Sequence, residues 1–284
     1  MLRITSAGDK NSLRAKGGEQ ENVEGRTNES REVDPGSCSA IVPYTPSSLH
    51  GLHAPTVSYR FEALKTTIEL DQTFGRKGVG TGGAAWPAGY VLAEYISRKT
   101  DSMNREGAQW TDARVCELGA GLGLVSAVSA LMGAKVTATD GVDEVLDVMR
   151  SNINRNLPEP RHRVKVRRLQ WGVQSKSEHD ALKPPVDILL AADVVYGDGE
   201  VTGAWRDLLW SMEALSDERT LILLAHFSRY PQKEAPFWEM LDENFQRVAV
   251  DHRELMVGSE RTQVFMLKKI CKAESNGHHT PSIS

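Results

Sequence analysis

The spacing of apolar positions changes several times along the chain, and these changes divide the sequence into predicted strands and helices. Short apolar or alternating runs, typical of strands, are followed repeatedly by segments with apolar residues at helical spacing. The predicted strands are 114–118, 135–139, 164–169, 186–192, 220–225, 245–250 and 262–267. The predicted helices between them are 122–132, 142–154, 200–215 and one that contains 237–241. This alternation predicts an α/β fold with a doubly wound, mostly parallel sheet, in which one of the last two strands is antiparallel.

The region before this pattern has a different character. Residues 57–70 are rich in β-branched and aromatic side chains, and we predict that they form a β-hairpin. A glycine-rich loop, 75–83, then leads to a predicted helix with Pro87 in its first turn, where proline is well tolerated. Trp86 therefore stands at a helix entrance beside the loop, where a core or staple position and a ligand contact are both open interpretations.

The composition separates one domain from two tails. Residues 1–50 are rich in Gly, Ser, Asn, Glu and Arg and have no sustained apolar period. Such a segment buries too little to offset its ordering entropy, so we expect a disordered tail, with a docking or localisation segment as the alternative. We expect a single folded domain at 55–270 and a second disordered tail at 271–284.

Charge and cysteine content narrow the class of protein. The 284 residues have a formal net charge of -4, which argues against general nucleic-acid binding and favours protein or small-molecule substrates. Three cysteines without metal-ligand spacing or a disulfide framework indicate a reducing compartment, the cytosol or the nucleus. No apolar run approaches the roughly 18 residues of a membrane span. We therefore expect a monomer without membrane or metal partners.

A glycine-dense turn follows the strand predicted at 114–118. Gly119 and Gly121 would allow a sharp turn and close approach of a ligand, and Gly123 would allow tight contact between helix and strand. Asp140, at the end of the next strand, has a carboxylate that can accept both hydroxyls of a ribose. Together these features predict half of a nucleotide-binding fold, whereas the turn alone also fits a tight connection between core elements.

The spacing of this motif favours one nucleotide ligand. Dinucleotide folds use G-x-G-x-x-G with a pyrophosphate at the helix amino terminus, whereas here the glycines are spaced G-x-G-x-G and Glu117 precedes them. A carboxylate beside the turn would repel phosphates and suit a ligand with an ammonium group. The predicted cofactor is therefore S-adenosylmethionine, which has a cationic amino-acid end, a sulfonium and an unphosphorylated ribose.

Further candidate residues lie where predicted strands end, which is where ligands of doubly wound sheets bind. Trp171 is a candidate to flank an adenine ring, with a core position as the alternative. Asp193 and Tyr196 are candidates to orient an acceptor amine, with a helix N-cap and a packed tyrosine as the alternatives. Methyl transfer requires donor and acceptor to be aligned, without a metal or covalent nucleophile. A lysine acceptor, with a usual pKa near 10.4, must become neutral to attack.

These motifs together resemble a known family. They are Glu117 to Gly123, Asp140, Gln170-Trp171-Gly172, Ala192 to Tyr196, and the upstream stretch Gly82 to Leu92. Over roughly 57–267 the chain resembles the seven-strand protein-lysine methyltransferases of methyltransferase family 16, in particular the branch that methylates chaperones and elongation factors. The resemblance implies a seven-stranded, Rossmann-like sheet and a molecular chaperone or elongation factor as protein substrate.

The resemblance also implies roles for individual residues. Cofactor contacts are implied for Trp86, Gly119, Ala120, Gly121, Asp140, Trp171 and Ala192, support of the cofactor's amino-acid end for Glu117, and an acceptor-facing position for Asp193 and Tyr196. Leu122 and the segment 225–230 depart from the family pattern. We expect partner selection in that segment, in the loop 75–83 and in the amino-terminal tail.

Two other classes of protein stay open. One is a methyltransferase that acts on a nucleic acid or a small metabolite, although the Asp-x-x-Tyr motif lacks the paired prolines of base-amino methyltransferases. The other is a binding module that retains the cofactor fold without catalysis.

Overall fold

The computed structural model describes residues 54–98, 109–157, 163–197, 199–256 and 259–271. The two predicted disordered tails, apart from Cys271, lie outside these residues. The described part forms an α/β domain with a small antiparallel hairpin and a large sheet covered by helices on both faces.

The strands give the domain its order. In chain sequence they are β1 (Thr56–Phe61), β2 (Thr66–Asp71), β3 (Arg114–Leu118), β4 (Lys135–Asp140), β5 (Val164–Arg168), β6 (Ile188–Ala192), β7 (Leu221–Phe227), β8 (Phe245–Ala249) and β9 (Thr262–Lys269). Strands β1 and β2 pair as the predicted hairpin. The others form a seven-stranded sheet in the order β5-β4-β3-β6-β7-β9-β8, in which β9 is antiparallel to both of its neighbours and the remaining pairs are parallel. The predicted doubly wound, mostly parallel sheet is confirmed.

The direction of strand addition reverses at the centre of this sheet. From β3 the chain adds β4 and β5 on one side, and it then returns to place β6 and β7 on the other side. The connections that leave β3 and β6 therefore diverge and leave a crevice beyond the carboxyl ends of these strands. Crevices at such reversal points are where open α/β sheets bind ligands.

The helices lie between the strands. They are α1 (Pro87–Arg98), α2 (Leu124–Leu131), α3 (Asp143–Asn156), α4 (Lys176–Asp180), α5 (Gly199–Thr202), α6 (Ala204–Leu215) and α7 (Pro231–Asp242), with 3-10 turns at Gly80–Gly83, Val173–Ser175 and His252–Glu254. Within the part of the chain that the structure describes, none of them has the length and apolar character needed to cross a membrane.

Two predicted helix boundaries were wrong, and glycine explains both. Helix α2 begins at Leu124 instead of residue 122, because Gly123 has a left-handed φ of 85° at the N-cap. The helix predicted at 200–215 is two helices, α5 and α6, separated by Gly203 with a φ of 79°. Periodicity of apolar residues cannot report either break, since the backbone turn leaves the spacing of buried positions nearly unchanged.

Strand β6 shows why the centre of the sheet needs an unbroken apolar run. Ile188 and Leu190 join the core on the side of α1, α2 and α3, whereas Leu189 and Ala191 join the core on the side of α6 and α7. Each of the four is at most 1 % exposed. Successive side chains of a strand point to opposite faces, so a strand covered on both faces must be apolar throughout.

The hairpin is held against α3 by two asparagine side chains. Asn152 Oδ1 accepts the Asp71 amide at 2.9 Å while its Nδ2 donates to the Asp71 carbonyl at 3.2 Å. One turn later, Asn156 accepts the Glu69 amide at 2.9 Å and donates to the Glu69 carbonyl at 2.7 Å. Each amide side chain thus bonds to β2 as a peptide group of a neighbouring strand would. Arg155, between them, forms an ion pair with the Asp71 carboxylate.

Candidate functional site

A cleft of about 320 Å³ lies at the carboxyl ends of β3, β4 and β6. Its wall includes the loop 78–82, the glycine turn after β3, the acid that ends β4, and residues that follow β5 and β6. This position coincides with the reversal point of the sheet, as expected for a ligand site in a doubly wound fold.

A larger depression, of about 1120 Å³, lies at the opposite end of the sheet. It is lined by residues near the start of β3, β6 and β7, among them Asp112, Asp187 and Arg219. No predicted site residue lines it, and ligands of such sheets bind at the other end of the strands. The smaller cleft is therefore the candidate site.

Two glycines shape the cleft wall after β3. Gly119 and Gly121 have left-handed φ values of 65° and 52°. A Cβ atom on Gly119 would lie 2.9 Å from Val194 Cγ1 and 3.1 Å from Trp171 Cζ2, and one on Gly121 would lie 3.2 Å from the Gly82 carbonyl oxygen. Both positions favour glycine because of their backbone conformation and their crowded surroundings.

The third glycine of the motif has a different neighbour from the one predicted. A Cβ atom on Gly123 would lie 3.0 Å from Met149 Cγ and 3.2 Å from Ile153 Cδ1, both on α3. Gly123 therefore lets the turn approach a helix, and the predicted helix-to-strand contact was wrong.

Asp140 ends β4 and lines the cleft. Its Oδ2 accepts a hydrogen bond from the Gly121 amide at 3.2 Å, and its Oδ1 accepts one from the Val142 amide at 3.1 Å. Burial raises the pKa of Asp140, while backbone N–H groups of Val142, Gly121 and Gly141 oppose that rise. Each carboxylate oxygen can accept more than one hydrogen bond, so the group retains capacity for a hydroxyl donor from a ligand.

Glu117 lies beneath the turn and is buried. Its carboxyl accepts a hydrogen bond from the Ser126 hydroxyl on α2. Burial raises the pKa of Glu117 to about 8, with a smaller contribution from Asp140 and an opposing one from Ser126. In the ligand-free chain at neutral pH, Glu117 is therefore mainly a neutral acid. A protonated Glu117 would not repel phosphates, so the predicted electrostatic preference against them is absent in that state.

Two tryptophans line the cleft. Trp86 precedes α1, donates from Nε1 to the Thr81 carbonyl at 2.8 Å, and meets Phe74 edge-on with 6.1 Å between ring centroids. Trp171 follows β5 and packs partly against the core on the α6 side of the sheet. Both side chains are only half-buried, so part of each ring is available to a ligand.

Asp193 follows β6 and forms an ion pair within the protein. Arg229 donates from Nη1 to Oδ1 at 2.8 Å and from Nη2 to Oδ2 at 2.7 Å, and the Asp193 side chain is 2 % exposed. Asp193 has a left-handed φ of 58° and lies well before the first residue of α5, Gly199. The alternative interpretation as a helix N-cap was therefore wrong.

Tyr196 is 49 % exposed and lines the cleft. The alternative interpretation as a packed core tyrosine was therefore wrong. Its ring therefore borders the cleft at the protein surface.

The cleft gathers six of the ten predicted site residues. These are Trp86, Gly119, Gly121, Asp140, Trp171 and Tyr196. The other four lie outside its wall: Glu117 under the turn, Ala120 buried in it, Ala192 partly buried at the end of β6, and Asp193 against Arg229. For these four, direct contact with cofactor or acceptor stays a prediction.

Sequence reasoning missed Arg229 and several residues of the cleft wall. Arg229 follows β7, and its position beyond the carboxyl end of a parallel strand was the signal that could have found it. Val142 also lines the cleft, as do Gln170 and Val194, which belong to the motifs but were assigned no contact. An apolar side chain such as that of Val142 gives no chemical signal, so only the fold identifies it.

The described residues contain no cluster of three or more His, Cys, Asp or Glu side chains suited to hold a metal ion. The cleft wall instead presents one carboxylate, the hydroxyls of Thr81 and Tyr196, the Gln170 amide and two indole rings. This set is suited to an uncharged ribose and a planar base.

The reversal of the sheet, the glycine turn and the acid after the second parallel strand define a Rossmann-like nucleotide-binding domain. The sequence matches the lysine methyltransferase family over residues 64–244. It is 36% identical over 210 residues to the protein N-lysine methyltransferase METTL21A of Xenopus tropicalis, covering 72% of this chain and 87% of that protein. The METTL21A of Mus musculus is 34% identical over the same shares of both chains. The protein-lysine methyltransferase METTL21E of Bos taurus is 34% identical over 58% of this chain and 53% of that protein.

The chain belongs to the lysine methyltransferase family. The family resemblance predicted from the motifs is confirmed, as is the predicted cofactor, because this family uses S-adenosylmethionine.

Proposed function

We propose that this protein transfers a methyl group from S-adenosylmethionine to the side-chain amine of a lysine in another protein. The observation that carries the proposal is the cleft itself. It combines a ribose-accepting acid, Asp140, with an exposed aromatic residue, Tyr196, within one site of about 320 Å³. Family membership and the similarity to two protein N-lysine methyltransferases support the same reaction.

The residues of the cleft divide into a cofactor side and an acceptor side. Asp140 would accept the ribose hydroxyls, and the open backbone at Gly119 and Gly121 would let the amino-acid end approach β3 closely. Trp171 would flank the adenine. Trp86 lines the same cleft and would contact the cofactor, as the resemblance implies, whereas Tyr196 would flank the aliphatic stem of the acceptor lysine.

The chemistry requires little from the protein beyond alignment. When bound, S-adenosylmethionine supplies a methyl group on a sulfonium. A neutral lysine nitrogen would form a bond to that carbon as the carbon–sulfur bond breaks, which would leave S-adenosylhomocysteine and a methylammonium group that can release a proton to water. The half-buried tryptophans keep water from part of the cleft, so the amine enters a less polar environment that favours its neutral form.

For the substrate, we propose a molecular chaperone or a translation elongation factor in the cytosol or the nucleus. The resemblance to the branch that acts on such proteins supports this choice. A negative net charge of -4 supports a protein partner over a nucleic acid.

The test uses the purified full chain with methyl-labelled S-adenosylmethionine. It is incubated with a cell extract before and after nuclease treatment, and with purified chaperones and elongation factors. Label in protein bands that persists after nuclease and maps to lysine by mass spectrometry supports the proposal. Label that nuclease removes would establish a nucleic-acid substrate, and cofactor binding without any transfer would establish a binding module.

The control is the same substitution of aspartate by alanine at an exposed position outside the cleft. Asp140→Ala should lose transfer, while Asp143→Ala, an exposed residue of α3, should keep it. Equal transfer by both variants would contradict the assignment of this cleft as the active site.

A further inference from the structure

Arg229 connects the buried Asp193 to the aromatic wall of the cleft. Besides its two bonds to Asp193, Arg229 Nη1 donates to the Phe227 carbonyl at 3.1 Å. Its guanidinium carbon lies 5.0 Å from the ring centroid of Trp86 and 5.2 Å from that of Phe227. A cation within about 6 Å of an aromatic centroid is attracted to the ring. Arg229 is thus fixed next to a residue that lines the cleft.

The loop that carries Arg229 is held by a single acid on α7. Glu234 Oε1 accepts the amides of Arg229 and Tyr230, each at 2.9 Å, and Oε2 accepts the Ser228 hydroxyl at 2.8 Å. Burial raises the pKa of Glu234, but these bonds and His226 outweigh burial and lower it to about 2. Glu234 is therefore an anion throughout the neutral range, and the backbone of Arg229 is anchored.

The charges around this pair come from several elements. Glu234 and Tyr230 act on Arg229 from α7 and its preceding loop. His226 Nε2, on β7, lies 3.0 Å from Glu234 Oε2. Arg261, next to β9, lies 4.8 Å from the Phe227 centroid and donates to the Ser228 carbonyl at 2.9 Å.

Among the described residues that line the cleft, Asp140 is the acid and Tyr196 contributes a phenol. Within this set, Arg229 neutralises Asp193 by donating one hydrogen bond to each of its carboxylate oxygens.

This pairing matters for an acceptor amine. A lysine has a usual pKa near 10.4, so at neutral pH it arrives as an ammonium ion and must lose a proton before it can attack. An unpaired carboxylate at the end of β6 would stabilise the ammonium ion and raise its pKa further. A carboxylate that already forms an ion pair with a guanidinium would not raise the pKa of the ammonium ion in this way.

We propose that Arg229 is a positioning residue that neutralises Asp193 and thereby allows the acceptor lysine to enter the cleft as a neutral amine. The inference rests on the proposed lysine methylation. It assigns to the Asp-x-x-Tyr motif of this chain a third member, supplied by the loop between β7 and α7.

The test compares the pH dependence of methyl transfer in the wild type, Arg229→Gln and Arg229→Lys, with the protein substrate that the labelling experiment identifies. In Arg229→Gln, the unpaired Asp193 carboxylate should raise the pKa of the acceptor lysine. The increase of kcat with pH should then occur about one pH unit higher, which corresponds to a roughly tenfold lower rate at a given pH on that limb. Transfer at about pH 7.5 should fall roughly tenfold and recover near pH 9.5. KM should stay the same or fall, because Asp193 then attracts the ammonium form. Arg229→Lys, which keeps the charge, should retain the wild-type profile.

Arg219→Gln is the matched control, because Arg219 is 86% exposed and pairs only with the surface residue Asp217 at 2.9 Å in the described contacts. Loss of kcat at every pH, without recovery, would give Arg229 a purely structural role and overturn the proposal. Higher activity at every pH would show that Arg229 obstructs the acceptor site, which would also overturn the proposal. If Arg229→Gln does not fold, a shifted profile in Arg229→Lys would overturn it. Absence of transfer by the wild type would instead refute the proposed function.

Discussion

The Gly121 amide donates a hydrogen bond to the Asp140 carboxylate at 3.2 Å. This bond joins the glycine turn after β3 to the acid that ends β4. The two parts of the nucleotide motif, separated by 19 positions in the chain, therefore form one rigid unit. A change in either residue should affect how the other meets a ligand.

Asp140→Ala should weaken binding of S-adenosylmethionine. The ribose hydroxyls would lose a charged acceptor, and hydrogen bonds to charged groups contribute about 1.5–3 kcal/mol. The expected increase in Kd is roughly 10- to 150-fold by calorimetry. Asp143→Ala, whose side chain is 78% exposed, provides the control and should bind as the wild type does. A Kd for Asp140→Ala within about twofold of the wild type would refute the ribose assignment.

Gly121→Ala should reduce both thermal stability and cofactor affinity. The left-handed φ of 52° is unfavourable for alanine, and its Cβ would crowd the Gly82 carbonyl at 3.2 Å. A cost of about 1–3 kcal/mol is expected for such a conformation. Gly89→Ala in α1, where a Cβ meets no atom within 4 Å, should keep or slightly raise the Tm. Equal Tm values for the two variants would contradict the argument from backbone conformation.

Glu117→Gln should change how stability depends on pH. The folded-state pKa of about 8 lies above the ordinary value of 4.5, so the folded chain binds this proton more tightly than the unfolded chain. The contribution of Glu117 to stability is therefore greatest at low pH and declines as pH rises through 4.5 to about 8.

The measurement is the Tm of wild type and Glu117→Gln from about pH 5 to pH 9. The glutamine variant cannot ionise, so its Tm should rise relative to that of the wild type as pH increases. The corresponding difference in the free energy of unfolding is up to several kcal/mol. The buried glutamine amide can change the Tm by an amount that does not depend on pH. The pH dependence of the Tm difference between variant and wild type therefore still reports the ionisation of Glu117. A Tm difference that is independent of pH would show that Glu117 is not a buried neutral acid.

Trp171→Ala should lower cofactor affinity by about 1–3 kcal/mol, the usual contribution of stacking between a base and an aromatic side chain. Trp171→Phe retains an aromatic face and should recover most of the affinity. Calorimetry with S-adenosylhomocysteine measures both. If phenylalanine and alanine behave alike while both variants keep the wild-type Tm, Trp171 does not flank the adenine.

Much of the fold could be predicted because it depends on burial. The unbroken apolar run of β6 required cover on both faces, and the structure provides two separate cores for alternate residues of that strand. The places where prediction failed are set by single backbone angles. Gly123 and Gly203 both break helical geometry with positive φ, and nothing in the spacing of apolar residues reports such a turn.

The site could be predicted only as far as it lies along local motifs. The ends of predicted strands and helices locate Trp86, Asp140 and Trp171 in the sequence, and the three line the same cleft in the structure. Arg229 is separated from Asp193 by 36 positions, and only the pairing of β6 with β7 places them within hydrogen-bond distance. The pKa of Glu117 likewise depends on burial beneath the turn, which residue type alone does not determine.

The two asparagines that bond to β2 also govern how this protein meets its own copies. An exposed strand edge with free amides and carbonyls is a template for intermolecular pairing and aggregation. Asn152 and Asn156 satisfy those groups at Asp71 and Glu69, so these two positions of the β2 edge are occupied without another strand. Replacing both with alanine should leave the cleft in place yet make the protein self-associate as its concentration rises, which light scattering would reveal. We therefore expect side-chain amides on a helix to limit aggregation through the β2 edge of this hairpin.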